Sequence, residues 1–393
     1  MPTLSNRAMG MQESAIRKLD LVAAAQRDVR FHRLNIGQPD VPTPAPMLDA
    51  IAQYDTRVIA YGPASGTAAC RAAAAEYTSR WSPGIRAEHV AITQGGSEGL
   101  LFAFCAMCDP GDEILVPEPY YTNYNGFATV AGATVKPIRT RIETGFALPP
   151  DHELDRLVTP RTKVLILNTP SNPTGAVYGA DELARMVAWA KKHHLFVVSD
   201  EVYRQIWFEE PAPSALAVAG GEEHVLVVDS MSKTWSSCGL RLGWLVSRNM
   251  ALMEKIERLG QARLGAQPLA QAVAMRAFDL PESYYAEVRQ VYADRVGALA
   301  DAVERLGVRA PRPKGAFYMM IDLPVSDADA FARWLVTDFR DDGESVVIAP
   351  GTGFYANPED GRRQARLAAV SEPAVLSRAV EVLGRGLDAF GAR

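Results

Sequence analysis

The chain has 393 residues, 48% apolar and 22% charged, the balance of a soluble globular protein long enough to bury a large core. Its net charge is −5 and its pI about 5.8, with no long basic run, which argues against nucleic acid as a partner. No apolar run approaches the length of a membrane span, and residues 1–10 lack a basic segment leading into an apolar core, so no membrane partner and a cytoplasmic, reduced setting are expected.

Residues 1–30 read as helical in parts, with Ile16, Leu19 and Ala23 at helical spacing. The stretch from Asn35 through Gly37 to Asp40 interrupts regular structure. Alternating prolines in 41–46 then read as an extended linker and a first domain boundary. A helix is expected from residue 47, a turn-rich segment at Tyr61, and an alanine-rich helix over 67–80. From residue 88 strands and helices alternate. Strands are expected at 89–93, 113–116, 134–138, 163–168, 196–199, 225–228 and 242–246, and helices at 98–107 and 181–194. Several of these strands are continuous apolar runs, which argues for a mainly parallel sheet covered on both faces. A long helix over 281–306 leads away to strands at 316–321 and 345–349 and helices at 329–338 and 373–390. The expected architecture is α/β. A large domain, 47–285, holds a mainly parallel sheet with helices on both faces, and a smaller α+β domain comes from both chain ends, 1–46 and 286–393. Cys105 and Cys108 form a C-x-x-C inside an apolar helix and read as two buried thiols on one face; no zinc spacing is seen and no metal is expected.

Several polar residues fall where these strands end, the place where ligands bind in an open α/β sheet. Gly95-Gly96-Ser97 follows a strand and opens a helix, so its amides suit a phosphate, although a glycine turn alone is common. Asn172 sits in a proline-rich turn after a strand and offers an amide. Asp200 ends a strand and wants a cationic partner, unless it caps a helix. Ser230-Met231-Ser232-Lys233 follows the strand 225–228, with Arg241 eight residues on. A lysine at a buried strand end loses hydration, which lowers its pKa and makes it a candidate Schiff-base nucleophile; on its own it reads as a surface lysine. Arg241 is a candidate anion clamp beside Ser230 and Ser232. Arg366 lies in an apolar segment and demands a carboxylate, from the protein or from a substrate. Together these residues are the parts that pyridoxal 5′-phosphate needs: a lysine, a carboxylate, a phenol, an amide and an anion cup.

In this order the motifs Gly95-Gly-Ser97, Asn172-Pro-Thr-Gly175, Asp200-x-x-Tyr203, Ser230-x-Ser-Lys233 and Arg241 resemble those of the fold-type-I pyridoxal-phosphate enzymes of the class I/II aminotransferase family. The resemblance runs from Asn35 to Arg366 and implies an aminotransferase that moves an amino group from an L-amino acid to a 2-oxo acid by ping-pong chemistry. It implies that Lys233 carries the cofactor and moves the proton, that Asp200 pairs with the pyridinium nitrogen, and that Tyr203 and Asn172 bond the phenolic oxygen. Tyr121 is implied to stack on the ring, with Gly95, Gly96, Ser97, Ser230, Ser232 and Arg241 around the phosphate. Tyr61 is similar to a tyrosine that reaches the phosphate from a neighbouring subunit, which implies a homodimer. Arg366 matches the arginine that binds the substrate carboxylate, with Asn172 and the Gly37 backbone beside it. Some similar bacterial enzymes carry a lysine after the double glycine for a side-chain carboxylate. Here Ser97 and the acidic Glu98 follow instead, which weakens a dicarboxylate preference.

A carbon–sulfur β-lyase of the same fold would share these residues. A non-catalytic effector module would need an additional helix-turn-helix domain, for which the first thirty residues leave no room. A plain dinucleotide-binding protein finds no support, because no strand is followed by G-x-G-x-x-G.

Overall fold

The computed structural model describes residues 2–12, 15–218, 220–221 and 223–391; the side chains of residues 15 and 16, and so the expected role of Ile16, lie outside the described part. The strands are β1 (Arg30–Arg33), β2 (Val90–Thr93), β3 (Glu113–Glu118), β4 (Thr134–Arg139), β5 (Thr162–Asn168) and β6 (Phe196–Asp200). They continue with β7 (Val225–Ser230), β8 (Gly243–Val246), β9 (Tyr318–Asp322), β10 (Glu344–Val347), β11 (Ala349–Pro350) and β12 (Gln364–Ala368).

Seven strands form the main sheet in the order β2-β8-β7-β6-β5-β3-β4. From β7 to β4 all neighbours are parallel, and β8 alone runs against both of its partners. The fold is α/β, as the apolar runs predict, with a smaller α+β part. That part carries the antiparallel sheet β11-β12-β9 and the pair β1-β10, in which Arg30–Arg33 lies parallel to Glu344–Val347. No helix among the described residues is long and apolar enough to cross a membrane.

Strand alternation sends successive residues to opposite faces of the sheet. On β7, Val225 and Val227 join one core and Leu226 and Val228 the other. The first core holds an aromatic group in which Tyr77, Trp235, Trp244 and Phe278 have ring centroids 5.1–6.2 Å apart. The second packs the helix Gly95–Met107 through Leu100, Ala103 and Phe104.

Some elements differ from expectation. The helix expected at 98 begins at Gly95, because the Glu98 carboxylate turns back to accept from the Gln94 amide at 2.7 Å and closes the first turn. Strand β3 continues through Pro117, whose missing N–H costs little near a strand's end. Helices Asn123–Ala131, Met250–Arg263 and Pro268–Phe278, and strands β1 and β12, carry no sequence pattern strong enough to announce them. Cys105 is exposed, and Cys108 is buried just past the helix end, so the two thiols do not share a buried face. Burial holds the Cys108 thiol up at about 12.

Trp244 is fully buried on β8 within the aromatic group. Trp244→Ala should therefore lower stability by about 3–5 kcal/mol, read as a lower urea midpoint by far-ultraviolet circular dichroism. A midpoint unchanged from the parent protein would show that this group does not anchor the sheet.

Candidate active site

Strands β5, β6 and β7 lie side by side, run the same way and finish at Asn168, Asp200 and Ser230. These ends border a cavity of about 1050 Å³. Its wall includes Gly37, Gly96, Ser97, Tyr121, Asn172 and Tyr203, and also Ser232, Lys233, Arg241 and Arg366. The residues named from sequence thus converge, with two exceptions: Tyr61 is 85% exposed and away from this wall, and Gly95 sits behind it.

Lys233 lies three residues past β7. It is not a surface lysine: it is half-buried, and its Nζ donates to the Gly37 carbonyl at 2.9 Å. The Tyr203 and Phe317 ring centres are 5.6 and 5.8 Å away. A neutral carbonyl holds this amine without neutralising it, which leaves it available to a ligand.

Asp200 and Glu201 are neighbours with opposite directions. Glu201 turns away from the cavity and accepts from Ser199, Ser214 and the Ala215 amide. Asp200 faces the cavity, buried, and accepts from Tyr124 Oη at 2.7 Å and from the Val202 amide at 3.5 Å. Burial pushes its carboxyl up to about 6, against the Tyr124 bond, the Val202 amide and the charge of Lys233. The chain turns after Asp200 and forms no helix there, so the helix-cap reading fails.

Asn172 is placed by a relay: its amide donates to Asn168 Oδ1 at 2.7 Å, and Asn168 Nδ2 donates to the Asp200 carbonyl at 2.9 Å. Its own side-chain oxygen accepts from Arg366 Nη1 at 2.9 Å. Arg366 Nη2 donates to the Asn35 carbonyl at 2.5 Å. Asn35 is the backbone partner of the arginine itself, while Gly37 lines the same wall and its carbonyl accepts from Lys233. Arg366 is buried, its Nε has no partner, and no carboxylate pairs with it among the described residues. The Tyr318 and Phe354 rings flank it at 4.5 and 5.0 Å. Burial lowers its pKa from the ordinary value.

Arg241 is exposed at the other anion position. Its guanidinium donates to the carbonyls of Cys238 at 2.9 Å and Gln94 at 3.4 Å, again with no carboxylate partner among the described residues. It passes so close to Gly95 that a Cβ there would lie 2.6 Å from Nη2, and Gly95 also has φ +79°, so only glycine fits. Ser232 donates its amide to Ser230 Oγ at 3.3 Å. With Gly96 and Ser97 opening a 13-residue helix, this corner has the donors of an anion cup. Tyr121 lines the wall with its ring edge-on to Tyr124, centroids 5.5 Å apart. Glu98 pairs with Arg263 at 2.9 Å and does not reach the wall, so its acidity says nothing about the substrate.

Sequence reasoning missed Tyr124, Asn168, Asn35 and Tyr318. Asn168 carried a signal, a polar residue ending an apolar strand. Tyr124 and Tyr318 looked like core aromatics, and nothing local set Asn35 apart.

The family profile "Aminotransferase class I and II" matches residues 30–383. The aspartate/prephenate aminotransferase of Thermus thermophilus is 31% identical, over 98% of this chain and all of that one. The LL-diaminopimelate aminotransferase of Desulforudis audaxviator is 33% identical, over 82% of each. The solved structure of Thermus thermophilus aspartate aminotransferase with maleate superposes with a TM-score of 0.89 at 30% identity, over 98% of this chain and all of that one. The chain belongs to the class I and II aminotransferases and is an aminotransferase.

Proposed function

We propose that this aminotransferase works on pyridoxal 5′-phosphate held in the cavity, taking the amino group of an L-amino acid and passing it to a 2-oxo acid in two half-reactions. The observation that carries the reading is a pair of charges left open on one wall: among the described residues, Arg366 is buried without a carboxylate and Lys233 has a carbonyl as its hydrogen-bond partner. An uncompensated buried guanidinium is costly, and a substrate α-carboxylate would complete it bidentately.

The residues present fit the cofactor. Gly96, Ser97, Ser230, Ser232 and Arg241 would hold its phosphate, with Gly95 giving Arg241 its place. Asp200 would pair with its ring nitrogen, Tyr203 and Asn172 with its phenolic oxygen, and Tyr121 with its ring face. When bound, the cofactor supplies an electron sink for the electrons left when the substrate's Cα proton departs. Lys233 is the one amine among the described residues of the wall. It would accept that proton at Nζ and return it, while the Gly37 carbonyl fixes its approach. Asp200, as an anion, would keep the ring nitrogen protonated. Arg366 and Asn172 orient the substrate by its carboxylate.

We also propose a homodimer in a cytoplasmic, reduced setting, and a division of the chain into 1–46 with 286–393 and 47–285. Leu48, Ile51, Val58, Ile59 and Tyr61 form an exposed apolar stretch that suits a second copy. Arg295, on the helix Glu282–Arg305, ties Asp40 to Glu372, joining the two chain ends. The four cysteines are thiols.

A screen of amino acids for half-reaction, including aspartate and diaminopimelate on the strength of the relatives, should convert the cofactor's visible band with a subset of donors. Lys233→Ala should lose both that conversion and the borohydride-reducible link. Arg366→Ala should raise the half-saturating donor concentration about tenfold to a hundredfold. A colourless protein that the cofactor cannot reconstitute would sink the reading.

The pH behaviour follows from Asp200. Burial raises its folded pKa from 3.8 to about 6, so at neutral pH the carboxylate is still the main form but costs the fold on the order of 3 kcal/mol relative to the unfolded chain. Only the anion pairs with a ring cation. Cofactor affinity should therefore strengthen as pH rises through about 6, by about tenfold per unit below it. The cofactor's own phosphate titrates nearby, so Asp200→Asn is the reference and should lose the protein's share of the slope. Equal slopes in both proteins would show that Asp200 does not face the ring nitrogen.

Light scattering should give twice the chain mass of 42.7 kDa. A monomer with full activity would exclude a role for Tyr61 across a subunit boundary.

A further inference from the structure

Tyr318 stands at the start of β9 and reaches three segments that are far apart in sequence. Its Oη is 3.0 Å from Tyr203 Oη and 3.5 Å from the Gly37 carbonyl oxygen, and its ring faces the Arg366 guanidinium at 4.5 Å. The fit is so close that a Cβ on Gly37 would lie 1.8 Å from Tyr318 Oη.

Two phenols share one contact, and that contact takes one proton. The Gly37 carbonyl is the poorer destination for the Tyr318 proton, because it is farther away and already accepts from Lys233 at 2.9 Å. Tyr203 Oη has no acceptor other than Tyr318 among the described residues. We propose that Tyr318 is a positioning residue for transamination: its hydroxyl donates to Tyr203 Oη and so turns the Tyr203 proton into the cavity. Donation into Tyr203 also strengthens Tyr203 as a donor in its turn. The inference rests on the proposed reading that Tyr203 faces the cofactor's phenolic oxygen. Burial holds the Tyr203 phenol well above its ordinary range, so it keeps a proton to donate. The titratable groups around Tyr318 are Tyr121, Tyr203, Tyr292, Lys233 and Arg366.

The test is Tyr318→Phe, which removes one hydroxyl and keeps the ring over Arg366. The cofactor-loaded protein is titrated with pH, following the visible absorbance of the bound cofactor. A weaker donor to the phenolic oxygen lets the chromophore hold its proton to higher pH, so the midpoint should rise by about half a unit to one unit, the scale of one hydrogen bond. On the same scale kcat should fall about threefold to tenfold, with KM within about twofold. In a Tyr203→Phe background the same substitution should move the midpoint no further, because it acts through Tyr203. An unmoved midpoint with kcat within twofold of the parent would reduce Tyr318 to a packing residue. A shift that persists without the Tyr203 hydroxyl would assign it to another partner. A parent protein with no pH-dependent visible band would instead sink the cofactor reading itself.

Discussion

A guanidinium buried without a counterion among the described residues is the constraint on which the site depends. Removing Arg366 from water costs several kcal/mol, and the two neutral oxygens it reaches, on Asn172 and Asn35, offset part of that at about 1.5–3 kcal/mol for each hydrogen bond to a charged group. The remainder is a standing demand for an anion. The aromatic faces of Tyr318 and Phe354 lessen the demand but cannot meet it. Much of the surrounding architecture reads as the means of holding that charge in place. The Asn168–Asn172 relay fixes one acceptor to the end of β6, and β12, hydrogen-bonded to β9 on one side and β11 on the other, fixes the arginine's backbone.

The same logic governs the two glycines that bring backbone close to functional groups. Gly37 yields its side-chain space to the Tyr318 hydroxyl, and Gly95 yields its own to the Arg241 guanidinium. Each close approach brings together distant parts of the chain: the N-terminal segment with β9, and the opening of the helix Gly95–Met107 with the loop before β8. A larger residue at either place would displace a charge or a phenol on the cavity wall, so the penalty would appear in function as well as in stability.

What could be read in the sequence followed from locality. Asp200, Ser230 and Lys233 were visible because each polar residue interrupts or follows an apolar strand, a contrast contained within ten residues. The parallel sheet was visible for the same reason. What was hidden was non-local. The strand that carries Arg366 is five residues long and is recognisable only from its pairing with β9, more than forty residues earlier. Tyr318 and Tyr124 are aromatics in apolar surroundings, and only tertiary structure shows that their hydroxyls meet Tyr203 and Asp200. The weight placed on Glu98 failed for the same reason: whether a carboxylate faces a ligand depends on its partner, and Arg263 lies 165 residues away.

The charges on the wall explain why one cavity would suit so specific a ligand pair. Among the described residues its cations are Arg17, Lys233, Arg241 and Arg366, and its carboxylates are Asp20 and Asp200. Asp20 is engaged by Arg33, which lies outside the wall, so it does little to offset the cations. Burial raises the Asp200 carboxyl to about 6, so near neutral pH it sets one negative charge against several cations. The site is therefore electropositive before anything binds, and in a partly desolvated cleft that field acts at range. A phosphate and a carboxylate, carried on two different molecules, would between them use Arg241 and Arg366, while a ring cation would settle Asp200. Neither molecule alone satisfies the wall. On the proposed reading this is why the cofactor would stay while amino acids come and go: its phosphate and ring nitrogen would meet two charges at once, whereas a departing substrate gives up only its carboxylate contact with Arg366.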